Sequence, residues 1–153
     1  MKLLVATRSA GKQREVRRLF AGSSVEIAFP DEVNAFETPA ESALELHDSF
    51  QANARAKAEY FCRLTGRPTV ADDSGLEVLS LGGEPGVRSR RWAQASGSTA
   101  EIDAANNALL IRRLTGATEA RRRARYRCVL VFYRSPSALP EFFEGACTGV
   151  IVD

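Results

Sequence analysis

Apolar residues fall into two kinds of pattern along this chain: short unbroken runs, and longer stretches where they recur every three or four positions. Residues 2 to 6 are apolar after Lys2, as in a buried strand. The small and polar stretch Thr7-Arg8-Ser9-Ala10-Gly11-Lys12 follows, and then Val16, Leu19 and Phe20 recur at helical spacing. The opening therefore predicts strand, tight loop, helix. Val25 to Phe29 predicts a second strand, stopped by Pro30-Asp31, and residues 31 to 40 read as loop. A helix is expected over about 42 to 64, with Phe50, Ala54, Ala58, Phe61 and Cys62 on its inner face and Gly66-Arg67-Pro68 ending it.

Pro68-Thr69-Val70-Ala71 leads into a third strand with Asp72 and Asp73 at its end. Leu76 to Leu81 is short and partly apolar, and Gly82-Gly83-Glu84-Pro85-Gly86 is a turn cluster. Thr99 to Leu114 predicts a helix capped by Ser98 or Thr99, with Ile102, Ala105, Leu109 and Leu110 inward and Gly116 closing it. From Arg123 to Tyr133 the period becomes two, with Ala124, Tyr126, Cys128, Leu130 and Phe132 on one side. A turn at Ser135-Pro136-Ser137-Ala138 and a returning run from Glu141 to Val152 complete a long antiparallel hairpin.

With 153 residues, 44% of them hydrophobic, one domain with a sizeable core is expected. No apolar run approaches the roughly 20 residues that span a bilayer, so no membrane partner is expected. The net charge of +2 does not call for nucleic acid. Two local clusters, Arg88 with Arg90 and Arg91, and Arg121 to Arg123 with Arg125 and Arg127, suit either phosphate or plain solvation. Cys62, Cys128 and Cys147 are odd in number and form no Cys-x-x-Cys, which argues against a disulfide framework and a zinc site. They fit a reduced cytoplasm as small buried apolar residues. The single histidine, His47, excludes two-histidine metal sites and weakens any Ser-His-Asp reading. Chemistry must then rest on carboxylates, lysine, arginine and backbone amides.

Three places offer such chemistry. At Thr7 to Lys12 a strand passes into a helix, presenting backbone N–H groups, two hydroxyls and an ammonium that suit a phosphate tail, although an ordinary helix N-terminus looks the same. At Asp72-Asp73-Ser74-Gly75 adjacent side chains of a strand point to opposite faces, but a turn at its end would bring both carboxylates round to one ligand. One could hold Mg²⁺ while the other polarises a water; a turn that uses aspartate to bond free amides is the plainer alternative. At Gly82 to Trp92 the glycines permit close backbone approach to a ligand or another subunit, and Trp92 either stacks on a base or belongs to the core.

The stretches "VADDSGLEV" and "LGGEPGVRSRRWA" resemble the signature of the inosine triphosphate pyrophosphatase family, and "LLVATRSAGKQREVRRLF", "SFQANARAKAEYF", "DAANNALLIRRL" and "RRARYRCVLVFYR" resemble its other segments in order. The resemblance implies an α/β fold with an elongated mixed sheet, flanking helices and two lobes around a central cleft. It implies Mg²⁺-dependent hydrolysis of ITP, dITP and XTP to monophosphate and pyrophosphate by a homodimer. It assigns Thr7, Ser9, Lys12 and Lys57 to the phosphates, Asp72 and Asp73 to metal and water activation with Asp73 as base, and Ser74 and Gly75 to the nucleotide.

Three departures from the family pattern stand out. Thr7-Arg8-Ser9 replaces its Thr-Gly-Asn. Ala52 stands where the family has a metal-binding glutamate just before the residue matching Asn53. The chain, residues 1–153, lacks the family's Gly-Phe-Gly-Tyr-Asp-Pro loop and its C-terminal tail. A single nucleotide-pyrophosphatase-like domain of weakened activity is therefore expected. The competing reading is a degenerate, non-catalytic homologue that binds nucleotide or serves as a structural dimer, and a third is an enzyme for another phosphorylated substrate.

Overall fold

The structure, a computed structural model, describes residues 2–152; Asp153, the expected chain end, lies outside them. Five strands form one sheet in the order β2-β1-β3-β4-β5. They are β1 (Lys2–Val5), β2 (Glu26–Ala28), β3 (Thr69–Val78), β4 (Arg123–Tyr133) and β5 (Glu141–Val150). Three helices accompany them: α1 (Ala10–Leu19), α2 (Phe50–Thr65) and α3 (Thr99–Arg113). β1 runs parallel to both β2 and β3, with Leu3 opposite Ile27 and Val5 opposite Val70. β4 and β5 are neighbours joined only by residues 134–140, too few for a parallel crossover, so they form the expected antiparallel hairpin and the sheet is mixed.

The chain divides into two compact units, each described here by itself. The first contains residues 1–73 and 129–144. Leu3, Leu4, Val5 and Ala6 are all buried, which explains the unbroken apolar run. α2 likewise buries Phe50, Ala54, Ala58, Phe61 and Cys62, the face expected from their spacing. Gly66, at φ 65°, ends α2 in the left-handed region and returns its N–H to the Cys62 carbonyl at 2.8 Å.

The second unit contains residues 74–128 and 145–153. Its core is Val78, Leu110, Leu114 and Ala124, with Leu76, Leu81, Trp92, Ala117 and Ile151 packed on it. Trp92 therefore serves this core, and Arg113 lies over its ring at 5.6 Å. Ser98 caps α3 in a reciprocal box with Glu101.

Several sequence expectations change. The helix placed over 42 to 64 begins only at Phe50: Pro39–Ala43 is a 3-10 turn, and Ser49 caps α2 by accepting the Ala52 N–H at 3.1 Å. β3 does not end at the aspartates but runs on to Val78. The helix expected from the spacing of Val16, Leu19 and Phe20 forms as α1, but Leu19 is 79% exposed and α1 has no fully buried residue. The buried side of β4 changes along its length: Ala124 in one unit, then Val129, Val131 and Tyr133 in the other, so Leu130 and Tyr126 on the expected apolar side are exposed. Of the cysteines only Cys62 is buried; Cys147 is exposed. Gly82, Gly83 and Gly86 have φ of 66°, 89° and 55°, and a Cβ on any of them would meet nothing within 4 Å. Their positive φ angles show that turn conformation requires glycine here.

Leu4→Ala should lower the unfolding free energy by about 2–5 kcal/mol, because it empties a fully buried site on β1. Leu19→Ala should change it by no more than about 0.5 kcal/mol, as for other exposed positions. Urea midpoints of the two variants check both the core and the exposure of α1.

Candidate active site

Thr7, Ser9, Lys12, Lys57, Asp72 and Asp73 all lie in the first unit, and their arrangement begins at the carboxyl end of β1. Ala6 donates its N–H to the Val70 carbonyl at 2.8 Å, so the chain leaves β1 still attached to β3. The Ser9 hydroxyl then caps α1 by accepting the Lys12 N–H, and the Thr7 hydroxyl accepts the Ser9 N–H at 3.3 Å. Gln13 returns its side-chain amide to the Thr7 carbonyl at 3.2 Å. Thr7, Ser9 and Lys12 are thus gathered at one helix N-terminus, where hydroxyls, backbone N–H groups and the dipole favour an anion.

Strand order carries this loop to the acidic pair. β2 and β3 flank β1 on opposite sides, so the chain reverses direction across the sheet at β1. In open α/β sheets ligands bind at such a switch point, outside the carboxyl ends of the strands. Right-handed crossovers also put α1 and α2 on opposite faces. Because β3 stays extended through Asp72 and Asp73, alternation sends their side chains opposite ways. The contacts follow that division. Lys12 on α1 pairs with Asp72 at 2.5 Å, and Asn53 on α2 donates its Nδ2 to Asp73 at 2.8 Å. Helices on either side, not a turn, supply the partners of the two carboxylates.

Asn53 and Lys57 lie one helical turn apart on the buried face of α2, among Phe50, Ala54, Ala58 and Phe61. Asn53 is 1% exposed and both ends of its amide are used, since its Oδ1 accepts the His47 N–H at 2.9 Å. Lys57 Nζ reaches Glu45 Oε1 at 2.6 Å. Burial pushes the Asp73 carboxyl above its ordinary range; the Asn53 hydrogen bond and the Lys57 charge pull it back, Glu45 pushes it up again, and Lys12 pulls it down. Four side chains, Asn53, Lys57, Glu45 and Lys12, therefore act on this one carboxyl group.

Sequence reasoning missed Asn53 and Glu45. Asn53 carried a usable signal, an amide on the apolar stripe of a helix. Glu45 did not, because it sits in a connection without regular structure. Ala52 makes no polar side-chain contact, as its composition requires, and Glu59 pairs with Arg63 instead. Ser74 and Gly75 follow on β3 in the second unit, where the Ser74 hydroxyl lies 3.4 Å from that of Tyr126 and Gly75 is buried. The arginine cluster of that unit is engaged in structure: Arg125 and Arg127 meet Glu77, and Arg122 donates to the carbonyls of Ala117, Leu114 and Ile151.

The donor set is oxygen only, which suits a hard cation. Among the described residues no three His, Cys, Asp or Glu side chains are arranged to enclose a metal. Mg²⁺ needs no such cage; one or two carboxylates, water and substrate phosphates are its usual ligands, and Asp72 and Asp73 fit that pattern.

The Ham1 family pattern matches residues 3–153. The chain belongs to the Ham1 family. It is 44% identical to a dITP/XTP pyrophosphatase of Bordetella parapertussis, covering 99% of this chain and 68% of that protein. Among solved structures it resembles a HAM1 protein from Coxiella burnetii, with a TM-score of 0.81 at 26% identity over 99% of this chain and 73% of the other. It also resembles a nucleoside-triphosphatase and dITP/XTP pyrophosphatase from Mycobacterium abscessus, with a TM-score of 0.75 at 37% identity over 99% and 74%. These findings bear out the resemblance read from the sequence and the mixed α/β fold it implied. No helix among the described residues is long and apolar enough to cross a membrane.

The sign of the Asp73 shift gives a test. A carboxyl raised by folding favours the protonated form in the folded state. Its contribution to stability is present below the unfolded value, about pH 4, and is lost as the pH rises through the folded value. In chelator, Asp73→Asn should therefore melt at a higher temperature than the parent at neutral pH. The two should converge below about pH 4; thermal melts across that range check it.

Proposed function

We propose that this protein hydrolyses the non-canonical purine nucleoside triphosphates ITP, dITP and XTP to the monophosphate and pyrophosphate. The observation that carries the reading is the meeting of Lys12, in the first turn of α1, with Asp72 of β3, beside the half-buried Asp73. It joins an anion-binding helix end to a pair of oxygen donors, as a metal-bound triphosphate requires. Relatives named for dITP and XTP give the substrate class.

In this reading Thr7, Ser9 and the backbone N–H groups at the start of α1 hold the phosphates, with Lys12 and Lys57 neutralising them. Asp72 and Asp73 hold Mg²⁺, which supplies charge neutralisation at the phosphoryl oxygens. Asp73 also takes the proton of a water as its oxygen bonds to the α-phosphorus. The bond from that phosphorus to the bridging oxygen breaks, and its electron pair leaves with pyrophosphate. Positioning and electrostatics provide most of the acceleration in such chemistry. Ser74 and Gly75 keep the nucleotide contacts assigned by resemblance. Glu45, held on Lys57 within electrostatic reach of Asp73, supplies the third carboxylate that Ala52 cannot. The magnesium requirement and a homodimer complete the proposal and rest on the family resemblance; a cytoplasmic setting rests on the odd cysteine count, and a reduced rate on Ala52 and the other departures from the family pattern.

Pyrophosphate release from ITP, dITP, XTP, dGTP and ATP with Mg²⁺ tests it. Turnover of the first three should exceed that of the last two, and Asp73→Asn should lower kcat by about 10²–10³, as loss of one electrostatic stabiliser does elsewhere. Equal rates for parent and variant would reject Asp73 as base. Tight binding without turnover of any nucleotide would favour the non-catalytic reading.

A further inference from the structure

Arg8 stands in the middle of the phosphate loop, yet its guanidinium is directed elsewhere. Nε and Nη2 donate to the two carboxylate oxygens of Glu41, each at 2.7 Å, in a bidentate fork. Nη2 also donates to the Ala35 carbonyl at 2.8 Å, and Nη1 to Asp31 at 2.5 Å. The guanidinium carbon lies 5.7 Å from the centroid of the Phe61 ring. Glu41 completes the arrangement by accepting the Thr38 N–H at 3.2 Å, and its side chain is only 12% exposed.

The groups it reaches belong to separate turns: the 3-10 turn Pro30–Val33, the left-handed turn at Asn34 that precedes Ala35, and the 3-10 turn Pro39–Ala43. The connection between β2 and α2 contains no strand and no α-helix, so no backbone ladder holds it. Its path depends on side-chain contacts, and Arg8 makes four polar ones. Glu45 lies just beyond the last of these turns, on Lys57. All of these residues belong to the first unit.

We propose that Arg8 is a positioning residue which clasps this connection to the phosphate loop and thereby delivers Glu45 to Lys57 beside Asp73. The inference rests on the active-site reading above for its catalytic consequence, but not for the clasp itself. Arg8 is not a phosphate ligand here: a guanidinium already facing two carboxylates has little positive field left for a third anion. Lysine cannot replace it, because one ammonium nitrogen cannot serve both oxygens of Glu41 as well as Asp31 and the Ala35 carbonyl.

Amide hydrogen exchange and dITP kinetics on the full chain test the proposal with Arg8→Gln, Glu41→Gln, the double variant and Arg8→Lys. Arg8→Gln should speed exchange across residues 31–46 by about tenfold or more while β1, β3 and α2 keep their rates, as local opening does. Its kcat should fall by about tenfold while KM moves less than about threefold, since a positioning residue makes no substrate contact. Glu41→Gln should behave alike, the double variant should be no worse than either single one, and Arg8→Lys should recover only part of both losses. Unchanged exchange over 31–46 would overturn the clasp. So would faster exchange spread over β1 and β3, which would make Arg8 a general stabiliser, or a KM rise at constant kcat, which would make it a direct phosphate ligand. Exchange requires no turnover, so the clasp is decided even where the Asp73→Asn assay rejects the assigned base.

Discussion

The pairing of β1 with β3 governs where every other functional group in this protein can stand. Leu4 opposite Thr69 and Val5 opposite Val70 set the register, and the Ala6 N–H on the Val70 carbonyl extends it one buried residue past the end of β1. One step further along each strand stand Thr7 and the aspartates. A slip by one residue would turn every side chain of β1 to the other face and carry the loop away from Asp72. The buried run from Leu3 to Ala6, with hydrophobic cover on both faces, is what prevents the slip.

From that register the rest follows by geometry. Two helices on opposite faces of one sheet meet two adjacent residues of an extended strand, and each helix takes the residue that faces it. The adjacent aspartates therefore do not compete for one partner: Lys12 answers the first and Asn53 the second. Burying an amide and an ammonium on the core face of α2 would be costly without partners, and each has one. The same side chains that satisfy the interior thus aim its polar groups at the strand end.

Much of this was legible in the residues. The runs at 2–6 and 69–71, the stripe Phe50-Ala54-Ala58-Phe61, the capping serine before α3 and the alternation of β4 each state a local preference that packing reinforces. The illegible parts share a cause. The start of α2 was misplaced because Glu41 to Glu45 is compatible with helix, and only the Ser49 cap and the turn at Pro39 decide otherwise. Leu19 has helical spacing but is left largely exposed. β3 was cut short because two aspartates and a glycine read as a turn, whereas neighbours on both sides keep them extended. Glu45 and Arg8 were invisible as a pair of effects, since their contacts span long sequence separations through a connection with no period to read.

The resting ion pairs carry one more consequence. Lys12 and Lys57 already face carboxylates, Asp72 and Glu45. A polyanion entering by itself would strip those carboxylates of their counter-charges in a half-buried place, and a bare divalent ion would do the same to the ammonium groups; either exchange is expensive. If both arrive as one chelate, each old partnership is traded for a new one and the local charge stays balanced throughout. On the function proposed above, the resting ion pairs would favour the complexed nucleotide over its separated ions.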